Sequence, residues 1–213
     1  MRILLVRHGQ TEWNIGARAQ GHTDISLDET GLRQSQLLGE AFKGEKIDVV
    51  ISSDLKRSVQ TAEPIAQATG APLETDARLR ERSFGDWEGQ DYHLVGEQLH
   101  ALTERYNLSR LDTRPPHGES MRDVWTRIDP AIQALKKDAR SIVLVSHGGA
   151  LALILAKFIG ADIEVSRAFR FANTGVTELH SRPNGSIYIK RYNDTVHLAS
   201  EEVLSGDLDG THR

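Results

Sequence analysis

The 213-residue chain contains no cysteine. That absence removes disulfides, thiolate metal sites and a cysteine nucleophile together. The chain also lacks a basic excess, with 26 Lys and Arg against 30 Asp and Glu and a formal net charge of -4. A general nucleic-acid binder is therefore not expected, and any anion site has to be a local concentration of charge. No His-Glu-x-x-His or comparable ligand run occurs, and His22, His93, His100, His117, His180 and His197 are scattered. Those histidines read as surface groups or as supports of other residues, and no metal is expected. There is no Gly-x-x-x-x-Gly-Lys-Ser/Thr loop, which disfavours a P-loop kinase. Long apolar runs are missing at the start, where Met1-Arg2-Ile3-Leu4-Leu5-Val6-Arg7 meets a charge after four apolar residues. This is too short for a signal peptide or a membrane span, so a cytoplasmic protein without a membrane partner is expected.

What is present is ordinary for a globular chain: 38% hydrophobic residues and 18 glycines, enough to bury a real core. No composition break marks a linker and no repeat occurs, so residues 1–198 read as one domain. Residues 199–213 are acidic and glycine-bearing, and are expected to form a flexible tail.

Short apolar runs alternate with helix-period segments: Ile3 to Val6, a helix near 30–43, Ile47 to Ile51, and a helix near 54–69. The rhythm predicts an α/β fold, a three-layer α/β/α sandwich around a mostly parallel sheet. Leu37, Leu38, Ala41 and Phe42, and then Val59, Ala62, Ile65 and Ala66, are the stripes expected to face the sheet. Gly70 suits the position after the second helix, and Pro64 is placed to bend it. A third helix over 121–137 has an apolar face from Met121 to Leu135 and a capping box of Ser120 and Asp123. Ile142 to Val145 reads as a buried strand followed by Ser146-His147-Gly148-Gly149 and an apolar helix ending before Gly160. Gly175 to Ser181 and Ser186 to Arg191 read as late strands around the Pro183-Asn184-Gly185 turn. Residues 90–118 are polar, His-rich and outside this rhythm. They are expected to form a helical and loop insertion over the site.

Two histidines occupy equivalent places, His8 two residues after Val6 and His147 two residues after Val145. If both runs are parallel strands, both imidazoles emerge at the carboxyl edge of the sheet, where open α/β folds place ligands. Each is followed by a glycine, which permits close backbone approach. A lone histidine of this kind reads first as a ring that caps a strand and bonds a neighbouring carbonyl; the matched pair reverses that preference and argues for a site. Arg7 precedes His8, and Arg57 sits about one turn into the helix after the Ile47 to Ser52 strand. Both can present a permanent cation in a fork that suits phosphate oxygens, and Gly148-Gly149 opens a helix whose unpaired N–H groups would add anion affinity. The alternative for Arg57 is a solvated charge on a helix surface.

Four ordered segments carry a resemblance: Leu5-Val6-Arg7-His8-Gly9-Gln10-Thr11-Glu12-Trp13-Asn14, Ser52-Ser53-Asp54-Leu55-Lys56-Arg57-Ser58-Val59-Gln60-Thr61-Ala62, Leu79-Arg80-Glu81-Arg82-Ser83-Phe84-Gly85-Asp86-Trp87-Glu88-Gly89, and Val145-Ser146-His147-Gly148-Gly149. Weaker echoes lie at Gln20-Gly21, Gly118-Glu119-Ser120, Asn173-Thr174-Gly175 and Tyr192-Asn193-Asp194-Thr195. In these segments the chain resembles the histidine phosphatase superfamily, the phosphoglycerate-mutase-like proteins. The resemblance implies that His8 is phosphorylated in turnover, that Arg7, Arg57 and His147 hold the transferring group, and that Glu81 moves the proton. It also implies that Asn14, Gln20, Gly21 and Gly148 line the pocket, with no metal and no cofactor. The chemistry is coherent, because an unprotonated imidazole is a nucleophile near neutrality and phosphoryl transfer needs chiefly positioning and charge stabilisation. For Glu81, chemistry alone leaves a second option, an ion pair with Arg80 or Arg82.

The expected function is a metal-independent phosphomonoesterase acting on a small phosphorylated metabolite and releasing inorganic phosphate. Mutases of the family resemble one another in a longer insertion carrying an adjacent arginine pair and a lysine. Here the insertion has Arg105, Arg110 and Arg114, none adjacent, and no lysine, so mutase is the alternative. A phosphate-binding regulator without turnover is the reading from another class; it predicts loss of His8 or Glu81, and both are present. Monomer and homodimer stay equally open.

Overall fold

The computed structural model describes residues 1–135 and 139–199. Its strands are β1 (Arg2–Arg7), β2 (Val49–Ser52), β3 (Leu73–Thr75), β4 (Ser141–Ser146), β5 (Val176–Ser181) and β6 (Ile187–Asp194). They form one sheet in the order β3-β2-β4-β1-β5-β6. The pairs β3/β2, β2/β4 and β4/β1 are parallel, whereas β1/β5 and β5/β6 are antiparallel. The helices are α1 (Glu12–Ile15), α2 (Glu29–Ala41), α3 (Lys56–Thr69), α4 (Tyr92–Tyr106), α5 (Met121–Gln133) and α6 (Gly148–Phe158).

The apolar strands are buried on both faces, which is why they read as continuous runs. Ile3 and Leu5 of β1 with Ile142 and Leu144 of β4 meet Val124 and Ile128 of α5 and Leu151, Ile154 and Leu155 of α6. The alternating residues Leu4, Val6, Val143 and Val145 meet Leu38 and Phe42 at α2 and Ala62 and Ile65 of α3. The expected three-layer α/β/α arrangement is the one observed. β5 and β6 and the Gly70 turn, at φ +69°, also fall where expected.

The expected inner faces of α2 and α3 are rotated. Ala41 is exposed and Leu37 only half-buried, while Gly31, Gln34, Ser35, Leu38 and Gly39 are buried. In α3 the buried set is Arg57, Ser58, Thr61, Ala62 and Ile65, and Val59 and Ala66 are half-buried. The reason is the loop after β1, whose backbone groups need partners. Gln34 Oε1 accepts from the Gln10 N–H at 2.9 Å, and Thr61 Oγ1 accepts from the Gly9 N–H at 2.9 Å. Polar residues therefore occupy positions that a periodicity argument gives to solvent. At Gly39 the two helices meet so closely that a Cβ would lie 2.7 Å from Pro64 Cβ.

α5 ends at Gln133, short of the expected 137, although its capping box is formed and Leu135 still packs on the core. Residues 136–138, and the expected flexible tail from 200 onward, lie outside the described residues. The insertion contains a well-formed helix, α4, with Asp91 as N-cap and Asn107 ending it in the left-handed region. Its buried positions are Val95 and Thr103, while Leu94 is exposed.

Candidate active site

Register explains why His8 and His147 meet. β1 and β4 are adjacent and parallel with Val6 opposite Val145 and Arg7 opposite Ser146, so both chains leave the sheet side by side. The His8 N–H donates to Ser146 O at 3.0 Å, and the ring centroids are 5.2 Å apart. Both residues are almost fully buried. His8 Nδ1 is 2.7 Å from Gly9 O; a carbonyl only accepts, so Nδ1 carries the proton and Nε2 keeps its lone pair. His147 Nδ1 accepts from Arg57 Nε at 3.2 Å, which puts its proton on Nε2, 2.9 Å from Ser53 Oγ. Burial, reinforced by Arg57, pushes both imidazoles well below their ordinary range. Both rings are neutral near pH 7.

Arg57 has no exposed surface. Its Nη1 donates to Thr23 O and its Nη2 to Gly21 O, each at 2.8 Å, and burial lowers it to about 10, still a cation at neutrality. Arg7 Nη1 donates to Phe171 O at 2.6 Å, while its buried Nε has no partner. Among the described residues no carboxylate lies within ion-pair distance of either guanidinium. Two such cations beside two neutral rings, with carboxylates such as Glu81 acting on them only beyond ion-pair distance, make a positive region that suits an anion.

Glu81 sits opposite, at the first turn of α6. Its Oε2 accepts from the Gly149 N–H at 2.9 Å, and its Oε1 accepts from the Ala150 N–H at 3.1 Å and the Arg82 N–H at 2.9 Å. The helix opening at Gly148-Gly149 is expected from the sequence to offer unpaired N–H groups to an anion; those of Gly149 and Ala150 are instead engaged by this carboxylate. The ion pair with Arg80 or Arg82 does not form. Arg80 pairs with Asp54, and Arg82 donates to the carbonyls of Glu119 and Thr113.

Of the other expected pocket residues, Gln20 is buried with an unpartnered Oε1. Gly21 takes φ +53° and gives its carbonyl to Arg57; a Cβ there would lie 2.1 Å from Glu88 Oε1. Gly148 opens α6, and a Cβ on it would sit in ordinary contact with Arg7 Nε at 3.6 Å. Asn14 closes a capping box with Thr11 at the start of α1, its Oδ1 accepting from the Thr11 N–H at 3.0 Å.

Several supports were not singled out by sequence reasoning. Glu88 accepts from the N–H groups of His22, Thr23 and Phe84 and so ties the Gln20–Gly21 loop to the Glu81 segment. His22 Nε2 lies 2.8 Å from Glu81 O, so this histidine belongs to the site's framework, whereas His93, His100 and His117 are exposed. Asn173 Nδ2 donates to His8 O at 2.8 Å. Glu88 and Asn173 lie inside the quoted segments and were there to be found; the role of His22 carries no local signal. Among the described residues no group of three or more His, Asp or Glu side chains is arranged to hold a metal, and no helix is long and apolar enough to cross a membrane.

Fold and site together describe an α/β protein with two buried guanidiniums and two buried imidazoles gathered at the carboxyl edge of its parallel strands. The fold matches the alpha-ribazole phosphatase from Shigella flexneri at a TM-score of 0.82 and 25% identity, covering 92% of this chain and 97% of that one. It matches mycobacterial glucosyl-3-phosphoglycerate phosphatase in complex with VO3 at 0.77 and 28% identity, covering 90% and 98%. A curated relative from Proteus mirabilis, named probable phosphoglycerate mutase GpmB, is 38% identical over 182 residues, 84% of each chain. Residues 3–195 match the histidine phosphatase superfamily (branch 1). The chain belongs to that superfamily.

Proposed function

We propose that this protein is a metal-independent phosphomonoesterase that works through a phosphohistidine on His8. The carrying observation is the pairing of a neutral His8, whose Nδ1–H is held by Gly9 O, with a neighbouring Arg7 Nε that has no partner. In the proposed cycle Arg7, Arg57 and His147 bind the phosphoryl oxygens, with Asn14, Gln20, Gly21 and Gly148 around them. His8 Nε2 attacks phosphorus, the P–O bond to the leaving group breaks, and the departing alkoxide takes a proton from Glu81. Water then gives a proton back to Glu81 and attacks phosphorus, the P–N bond breaks and inorganic phosphate leaves. Every group that stabilises charge on the phosphoryl oxygens in this scheme belongs to the protein, so the reading includes turnover without metal or cofactor.

The name of the Proteus mirabilis relative, probable phosphoglycerate mutase, favours mutase, in which a phosphoryl group is passed between hydroxyls. Phosphatase is supported by the insertion: Arg105 lies over the Tyr106 ring and Arg114 pairs with Asp123, and residues 90–118 hold no lysine and no adjacent arginine pair. The test combines p-nitrophenyl phosphate turnover in EDTA with acid and alkali stability of a trapped phosphoenzyme. Steady phosphate release and an acid-labile, alkali-stable label lost in His8→Ala are expected. Transfer only in the presence of a bisphosphate primer would favour mutase, and binding without release a regulator. A label that survives acid would remove His8 from the reaction.

A further inference from the structure

Arg127 stands on α5, outside the pocket, and all five of its N–H groups are used. Nε and Nη2 donate to Glu119 Oε1 and Oε2 at 2.8 and 3.0 Å; Nη1 donates to Arg78 O and Arg80 O at 2.7 and 3.1 Å; Nη2 also donates to Glu81 O at 3.0 Å. Glu119 Oε2 in turn accepts from the Ser83 N–H at 2.9 Å. One half-buried ion pair therefore binds three carbonyls and one N–H within residues 78–83. The stretch from Arg80 to Phe84 has no regular secondary structure, so no ladder of its own sets where Glu81 lies. Only a guanidinium offers five donors in a fixed fork, and a shift of about 1 Å in an acid–base group is enough to cost much of its contribution.

Resting on the phosphatase reading, we infer that Arg127, with Glu119 as its counter-ion, is a positioning residue for proton transfer: it fixes the Glu81 backbone so that the carboxyl stays at the start of α6. The consequence is selective. A nitrophenolate leaves without a proton, whereas an alkoxide needs one, so a displaced Glu81 harms alkyl esters far more than aryl esters.

The experiment measures kcat/KM, which reports steps up to leaving-group departure, for p-nitrophenyl phosphate and glycerol 2-phosphate, together with Tm. The variants are Arg127→Met, Arg127→Lys, Glu81→Gln and the Glu81→Gln/Arg127→Met double variant. Arg127→Lys keeps the charge beside Glu119 but cannot span the three carbonyls, and serves if Arg127→Met does not fold. The expected result is a loss on the alkyl ester at least about tenfold larger than on the aryl ester, in the pattern of Glu81→Gln. Adding Arg127→Met to Glu81→Gln should then change the alkyl rate by less than about twofold, because the two act through one group. Equal losses on both esters, a loss that follows Tm alone, or multiplying effects in the double variant would overturn the inference. A folded wild-type protein inactive on both esters would instead remove the phosphatase reading and the inference with it.

Discussion

The carboxylate of Glu81 and the α-carbon of Gly149 are so close that a Cβ on Gly149 would fall 2.6 Å from Glu81 Oε1. Gly149 lies in the first turn of α6, where alanine is intrinsically favoured over glycine by up to about 1 kcal/mol. Gly149→Ala is therefore expected to leave Tm unchanged or raised while lowering kcat/KM for an alkyl phosphate by about tenfold or more. Unchanged activity in a folded variant would show that Glu81 does not work from this position.

Arg57 points three donors at three acceptors, Gly21 O, Thr23 O and His147 Nδ1. A lysine cannot reproduce that fork. Inorganic phosphate at about 100 times its Kd should stabilise the wild-type protein by about 2.7 kcal/mol, and the shift should largely vanish in Arg57→Lys. kcat/KM in this variant should fall by about a hundredfold or more. Thermal melts with and without phosphate check the first claim, and equal phosphate shifts would remove Arg57 from the anion pocket.

Stability should fall on the acid side of neutrality. His8 and His147 are pushed well below 6.5 and His197 to about 4, each chiefly by burial. Below the unfolded value the unfolded chain binds more protons, so the contribution is full above about pH 6.5 and is lost as pH falls toward the folded values. Each histidine adds a slope of up to about 1.4 kcal/mol per pH unit in that window. Urea melts from pH 8 to pH 5 should show the decline, and His197→Gln should flatten it. Parallel profiles for the two proteins would contradict the assignment.

Glu178 carries the same sign at lower pH. It is buried among Arg2, His180, Lys190 and Arg191 and lowered to about 2, desolvation opposing the shift and these partners outweighing it. Its contribution is present above the usual carboxylate range and lost as pH falls through about 2. With partly exposed partners it is on the order of 1–2 kcal/mol. Glu178→Gln should lower urea stability at pH 7 and lose that difference near pH 2; an equal deficit at both would assign the effect to packing.

Substrate choice is expected to lie in α4. Tyr92 is exposed as a residue, and desolvation, followed by the charge of Glu81, pushes its ionisation up. Its ring stands edge-on to Phe84 at 5.9 Å, and Arg82 lies over Phe84. Tyr92→Ala should reorder kcat/KM across a panel of phosphate esters by about tenfold or more while p-nitrophenyl phosphate is still cleaved. An unchanged ranking with lower Tm would make the helix structural.

Much of this site is legible because strand periodicity is. Val6 and Val145 each end an apolar run, and parallel pairing carries His8 and His147 to one edge without any further information. The buried faces of α2 and α3 were misjudged for a complementary reason: Gln34 and Thr61 are buried to satisfy the Gly9–Gln10 loop, and hydrophobic spacing contains no term for a loop's N–H groups. His22 and Arg127 reach the Glu81 carbonyl across 59 and 46 residues. Such partners become visible only when the backbone has brought them together. α4 was obscured by exposed Leu94 and Tyr106, which break the apolar stripe a helix of this length normally shows.

The position of β1 has a bearing on how the molecule is made. Residues 2–6 pair with 141–145 on one side and with 176–180 on the other, and Thr174 and Asn173 bond to the carbonyls of Arg7 and His8. His8 is therefore made long before the strands that flank it, β4 on one side and β5 on the other. Contacts this distant in sequence close late and slowly. Assembly of the surroundings of His8 should consequently be completed only once β5 has been made, so that nascent fragments halted before β5 carry His8 without its full set of partners.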